Sequence, residues 1–180
     1  MKKIIITLLV ALGALQLAAQ VNSATLVASG LTCSMCSKSI FKALEKVPFV
    51  EKVDVDIERS SYSISFRKGD EVVLDDLKKA VEDAGFFVAS LKVKAAFANT
   101  EVYNDAHVSV GGIPFHFVSV PKQVLNGDRE IIIVDKNFLS AKERNKYAKA
   151  TKMKCFETGI VGECCPKNGS KSNRIYHVTI

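Results

Sequence analysis

The chain has 180 residues, 48% of them apolar, and carries 25 Lys and Arg against 19 Asp and Glu for a net charge of +6. This composition excludes a disordered or fibrous chain and leaves room for one medium domain or two small ones. Residues 21–95 balance eleven basic against eleven acidic side chains, so the excess lies elsewhere and is modest. With no basic stripe interleaved with aromatics, nothing points to nucleic acid.

Residues 1–19 open with Lys2 and Lys3, continue as an apolar run from Ile4 to Leu15, and end in Ala18-Ala19. A positive start, an apolar centre and a small-residue end form a secretory signal pattern. The run is shorter than the ~20 residues of a membrane-spanning helix, so no integral membrane segment is expected after cleavage. An exported protein, periplasmic or otherwise extracytoplasmic, follows, in a compartment that permits disulfides.

Residues 20–94 form the first expected domain. Thr25 to Ala28 reads as a strand and Ser37 to Lys46 as a helix with an apolar stripe at Ile40, Phe41, Leu44 and Val47, stopped by Pro48. Val53, Val55 and Ile57 alternate with acidic residues, and Tyr62, Ile64 and Phe66 alternate with serines, which gives two half-buried strands. Leu74, Leu77, Val81 and Ala84 line one face of a second helix, with Asp75 and Asp76 in its first turn and Gly85 as its C-terminal cap. Phe86 to Lys94 is the fourth strand. The order is β-α-β-β-α-β, a ferredoxin-like arrangement within the α+β class.

Between the first strand and first helix lies Gly30-Leu31-Thr32-Cys33-Ser34-Met35-Cys36. Two thiolates at this spacing grip one soft ion, and a helix N-terminus favours thiolate over thiol at Cys36. The competing readings are weaker. A disulfide across so short a loop is geometrically demanding, and a thioredoxin-type redox pair lacks its tryptophan because the chain has none. Met35 reads as an exposed residue rather than a third ligand.

Order and loop together resemble the heavy-metal-associated domain of copper chaperones and metal-pumping ATPases, whose loop reads Gly-Met-Thr-Cys-x-x-Cys. The resemblance implies Cys33 and Cys36 as the metal ligands. Leu31 replaces the family's methionine, an apolar anchor beneath the loop. Gly85-Phe86 matches the family's glycine-aromatic pair beside the loop. Thr32, where zinc- or cadmium-selective members tend to have a carboxylate, leaves a two-thiolate site suited to Cu(I). Exported mercury-binding members have nearly the same loop, so Hg(II) is the alternative ion.

Residues 95–180 form the second expected domain, with strands at Val108–Val110, Phe115–Val120, Glu130–Val134 and Ile175–Ile180. The pairs Gly111-Gly112 and the run Asn126-Gly127-Asp128 read as turns. A helix over 140–151 starts at a capping box, Ser140 with Glu143. Tyr147, Ala148 and Ala141 are its expected inner residues, with Lys142, Arg144, Lys146, Lys149 and Lys152 on a solvated face. Such a pattern suits a small, partly open barrel of the OB kind. For Cys155, Cys164 and Cys165 the favoured reading is a structural disulfide from Cys155 to one of the other two. The sharper one is a second soft-metal site of three thiolates, or of two with His177. His107 and His116 read as ordinary strand residues.

The function expected is transport, not catalysis: an exported protein holds Cu(I) between Cys33 and Cys36 and exchanges it with a metal-transporting or metal-accepting protein. No Ser/His/Asp constellation, phosphate loop or spaced carboxylate pair suggests an enzyme. Mercury sequestration, a thiol-disulfide carrier and an envelope interaction module are the alternatives.

Overall fold

A computed structural model describes residues 20–31, 34–136, 138–165 and 173–180. The leader pattern at 1–19 and the pair Thr32 and Cys33 lie outside the described residues. The first half runs β1 (Val21–Ser29), α1 (Ser34–Leu44), β2 (Val50–Asp56), β3 (Ser61–Phe66), α2 (Leu74–Asp83) and β4 (Phe87–Val102), so the expected β-α-β-β-α-β order is present. The strands lie in the order β2-β3-β1-β4, each antiparallel to its neighbour.

Alternation explains this half. Ala24, Leu26 and Ala28 of β1 and Tyr62, Ile64 and Phe66 of β3 point to one face and are buried. The apolar stripes of α1 (Ile40, Leu44) and α2 (Leu74, Leu77, Val81) cover that face with no side chain more than 1% exposed. Each such leucine stabilises the fold by about 1.5–3 kcal/mol. Helix α2 ends in a Schellman turn: Gly85 adopts φ +89, its N–H donates to the Glu82 carbonyl, and the Phe86 N–H donates to that of Val81.

The second half adds β5 (His107–Val110), β6 (Ile113–Phe117), β7 (Gln123–Ile133), α3 (Ala141–Ala148), α4 (Cys155–Thr158) and β8 (Tyr176–Thr179). No OB-like barrel closes among the described residues. Instead one open sheet of eight strands has the order β2-β3-β1-β4-β7-β8-β6-β5. The reason is β4, which runs 16 residues across the boundary drawn between 94 and 95. One edge of β4 pairs with β1, and the other pairs with β7 from Lys92↔Ile132 to Val102↔Gln123. The later strands therefore satisfy their backbone groups by extending the first sheet.

The run Asn126-Gly127-Asp128 is not a turn. It lies inside β7, opposite a bulge in β4 where Phe97 faces Gly127 and Thr100 faces Leu125. Both strands bend there, with Asn99 at φ +47 and Gly127 at φ +68. Gly111-Gly112 is a two-residue hairpin turn, and both residues have positive φ.

Helix α3 has the expected capping box, with Ser140 and Glu143 bonding reciprocally, but it is shorter than 140–151. Tyr147 and Ala148 pack against Val118, Val134 and Phe156, whereas Ala141 is exposed. Arg144 departs from the expected solvated face. Its guanidinium lies 4.5 Å over the Phe156 ring and donates to the Phe156 carbonyl at 2.7 Å and to Glu157 at 3.1 Å. That contact seats α4 against α3.

A polar knot ties the two halves. Arg174 donates to Asp75 at the start of α2 (2.8 Å), to Asp135 just after β7 (3.0 Å) and to the Gly159 carbonyl (3.2 Å). The Tyr176 hydroxyl donates to Asp75 and accepts from the Asp75 backbone N–H, both at 3.2 Å. Among the described residues, no helix is long and apolar enough to cross a membrane.

Candidate metal centres

The first centre sits where β1 ends and α1 begins. Gly30 turns the chain at φ +88, and a Cβ there would stand 3.9 Å from the Phe86 ring, so the aromatic side chain closes over the loop's entry. Leu31 packs against the main core, as expected of the apolar anchor. Cys36 lies half-buried in the first turn of α1, and Met35 beside it is 70% exposed. Cys33 lies outside the described residues, so its partnership with Cys36 rests on the sequence. Beneath the loop is a residue the sequence reading passed over as core. Tyr62 is fully buried, and its hydroxyl donates to the Ser37 carbonyl at 3.3 Å. Burial chiefly raises its pKa, and negative charge at Cys36 adds to the rise. A phenol that stays neutral adds no negative charge beneath the loop.

The second centre is in the C-terminal half. His107, His116 and His177 are direct cross-strand neighbours, His107↔His116 across β5 and β6 and His116↔His177 across β6 and β8. Phe115, Phe117, Tyr176 and Val178, which flank them, belong to the main core. The histidines therefore project from the opposite face. The His107 and His116 rings stack at 4.4 Å, and His177 meets His116 edge-on at 4.9 Å. Cys155, at the start of α4 and 1% exposed, puts its Sγ 3.6 Å from His116 Nδ1. This corrects the reading of His107 and His116 as ordinary strand residues: a thiol does face them, brought there by a fold contact 39 residues along the chain.

Carboxylates orient the imidazoles. His116 Nε2 lies 2.9 Å from Asp105 Oδ1, and His177 Nδ1 lies 2.5 Å from Asp135 Oδ1. His107 Nδ1 donates to the Asp105 carbonyl at 3.1 Å. The remaining nitrogens, Nε2 of His107 and Nε2 of His177, are buried with no hydrogen-bond partner among the described residues. Burial lowers the pKa of His107, and burial together with the two neighbouring imidazoles pushes His116 down to about 4 in spite of Asp105. The ladder is neutral at pH 7 at these two positions, the state in which imidazole binds metal.

Cys164 and Cys165 complete the cluster. Their sulfurs are 3.7 Å apart, and both lie within 4.8 Å of the Cys155 sulfur. All three are thiols, so the disulfide favoured from sequence is not formed. Burial raises the Cys155 pKa, reinforced by the two neighbouring thiols. At Cys164 burial is outweighed by hydrogen bonds, first from the Cys155 backbone, and the thiol is held below its ordinary value. Asp105 and Asp135 have a role that sequence did not suggest, since each lies beyond a strand end with no motif around it.

The sheet order, the paired helices and the C-x-x-C at the junction of first strand and first helix define a class of small βαββαβ modules that present thiols to soft ions. The chain belongs to the heavy-metal-associated domain family, which residues 25–87 match. It is 37% identical over 86 residues to the mercuric transport protein periplasmic component of Pseudomonas fluorescens, covering 48% of this chain and 93% of that protein. The Shigella flexneri counterpart is 35% identical over the same span and coverage. The copper-transporting ATPase of Helicobacter pylori is 35% identical over 57 residues, 32% of this chain and 8% of that one. Among solved structures, oxidised MerP from Ralstonia metallidurans CH34 aligns with a TM-score of 0.35 at 36% identity, over 40% of this chain and 96% of that one. Each of these likenesses covers less than half of the chain.

Proposed function

We propose that this is an exported carrier that holds one thiophilic d10 ion between Cys33 and Cys36 and passes it to a metal-accepting protein. The observation that carries the reading is the C-x-x-C loop set at the start of α1 in a chain of this family. Two thiolates leave the ion open on one side, so an incoming thiol can attack it and transfer proceeds by ligand exchange, with no covalent bond chemistry to catalyse. Exposed Met35 and 68%-exposed Phe87 flank the loop and offer the acceptor an apolar rim. Export is supported by the leader pattern and by relatives named as periplasmic components.

Hg(II) and Cu(I) share this chemistry. The reach of similarity, 93% of the mercuric transport components, favours Hg(II) as cargo. Thr32 in place of a carboxylate and the copper ATPase relative favour Cu(I) as the second reading. The test is native mass spectrometry of the reduced mature chain titrated with each ion, alone and in competition, followed by alkylation. One ion bound with Cys33 and Cys36 protected, and lost in Cys33→Ser, is the expected result. Full affinity retained in Cys33→Ser refutes the assignment, and the competition identifies the cargo.

A further inference from the structure

In the C-terminal cluster the three sulfurs lie within 4.8 Å of one another, His116 joins them through Cys155, and two donor pairs have the spacing of a tetrahedral metal cage. A tetrahedral site with metal–sulfur bonds of about 2.3 Å and metal–nitrogen bonds of about 2.0–2.1 Å has sulfur–sulfur edges of about 3.8 Å and sulfur–nitrogen edges of about 3.5 Å. The Cys164–Cys165 sulfurs are 3.7 Å apart, and the Cys155 sulfur is 3.6 Å from His116 Nδ1. A linear two-thiolate site would set its sulfurs about 4.6 Å apart, twice the same bond length. The shell behind the donors fits as well. Asp105 holds His116 by Nε2, which leaves Nδ1 turned toward the Cys155 sulfur, as carboxylates commonly orient the histidines that bind metal. Three thiols that find chiefly one another, with Cys155 and Cys165 at most 7% exposed, are otherwise a poor use of buried polar groups.

We propose that Cys155, Cys164, Cys165 and His116 form a second, tetrahedral metal site for Zn(II), separate from the two-thiolate carrier loop. The ion fixes the segment from α4 to Cys165 against the face of β6 and shields its sulfurs from oxidation. The two centres then differ in kind: an open pair that exchanges its ion, and a closed Cys3His cage that keeps one.

The test uses the mature chain with Cys33→Ser and Cys36→Ser, so that failure of the carrier reading has no bearing on it. Reduced, metal-free protein is titrated with Zn(II), and with Co(II) as a spectroscopic probe. One Zn(II) per chain, with the absorption of tetrahedral thiolate-bound Co(II), is the expected result. Cys164→Ser, at a half-exposed position that leaves the core intact, should abolish the Co(II) charge-transfer bands. Asp105→Asn should keep the stoichiometry and weaken affinity by about 10–100-fold. No Zn(II) bound under reducing conditions overturns the proposal, as does a Cys155 disulfide that forms in the presence of Zn(II). Binding of Hg(II) or Cu(I) with none of Zn(II) equally overturns it.

Discussion

Asp135 braces the second-half side of the knot, holding both Arg174, which reaches across to Asp75, and His177, and its removal has a calculable cost. Asp135 is 4% exposed, and its carboxylate accepts from Arg174 at 3.0 Å and from His177 at 2.5 Å. Asp135→Ala removes two charge-assisted or buried hydrogen bonds, each worth about 1.5–3 kcal/mol. Arg174 keeps Asp75 as partner, which offsets part of the loss, whereas fully buried His177 is left with neither ring nitrogen bonded. The sum is about 3 kcal/mol, at the lower end of what breaking a buried pair costs. For a chain of this size that lowers Tm by about 6–12 °C. Urea and thermal unfolding of the metal-free protein measure it. Asp135→Asn keeps an acceptor for His177 but turns an amide toward Arg174, and it should lose about half as much. A loss below about 1 kcal/mol for Asp135→Ala would refute the view that this buried carboxylate anchors Arg174 and His177.

Gly30→Ala should destabilise the metal loop by about 1–2 kcal/mol, because φ +88 is strained for any residue with a Cβ. The loss should appear in unfolding and as weaker metal binding at Cys36. At α3, Ser140→Ala should cost about 1 kcal/mol of local helix stability, read from amide protection over residues 142–148. Glu143 gives the same cap a pH dependence. The Ser140 hydroxyl and then its backbone N–H hold the Glu143 pKa below the ordinary 4.5. A carboxyl lowered on folding stabilises above its unfolded pKa and loses that contribution as pH falls through the lowered value. Protection of α3 should therefore drop on acidification below 4.5, and Glu143→Gln should remove the drop. An equal acid response in both proteins would exclude the cap as its source.

The first half was legible because its signals are local. Alternation at 53–55 and 62–66, the helical stripes and Gly85 each act within a few residues, and hydrogen bonding between adjacent elements does the rest, although Ile57, read as the next inward residue, lies past the end of β2 and is 61% exposed. The length of β4 was hidden by its bulge. Buried Ala95 and Phe97 are followed by buried Val102, so the alternation changes phase at 98–99 and reads as a strand that has ended. The same bulge explains the misreading of Asn126-Gly127-Asp128. Those residues favour positive φ, and Gly127 does adopt it, but inside a bent strand rather than at a reversal.

The C-terminal cluster was half legible. A two-residue turn at Gly111-Gly112 forces 107 opposite 116, so the His107–His116 pair follows from counting outward along the hairpin. Nothing equally local places the other donors. Strand β8 enters parallel to β6, between β6 and β7, and parallel pairing needs a long crossover whose path no short pattern specifies. That crossover is the segment that carries α3, α4 and the three cysteines, and β8 at its end brings His177 beside His116. Cys155 reaches the histidine face because Phe156, next to it, is drawn under Arg144 and against Val118 and Val134. The burial of one aromatic ring thus sets the position of the neighbouring sulfur, and the site's geometry is inherited from packing.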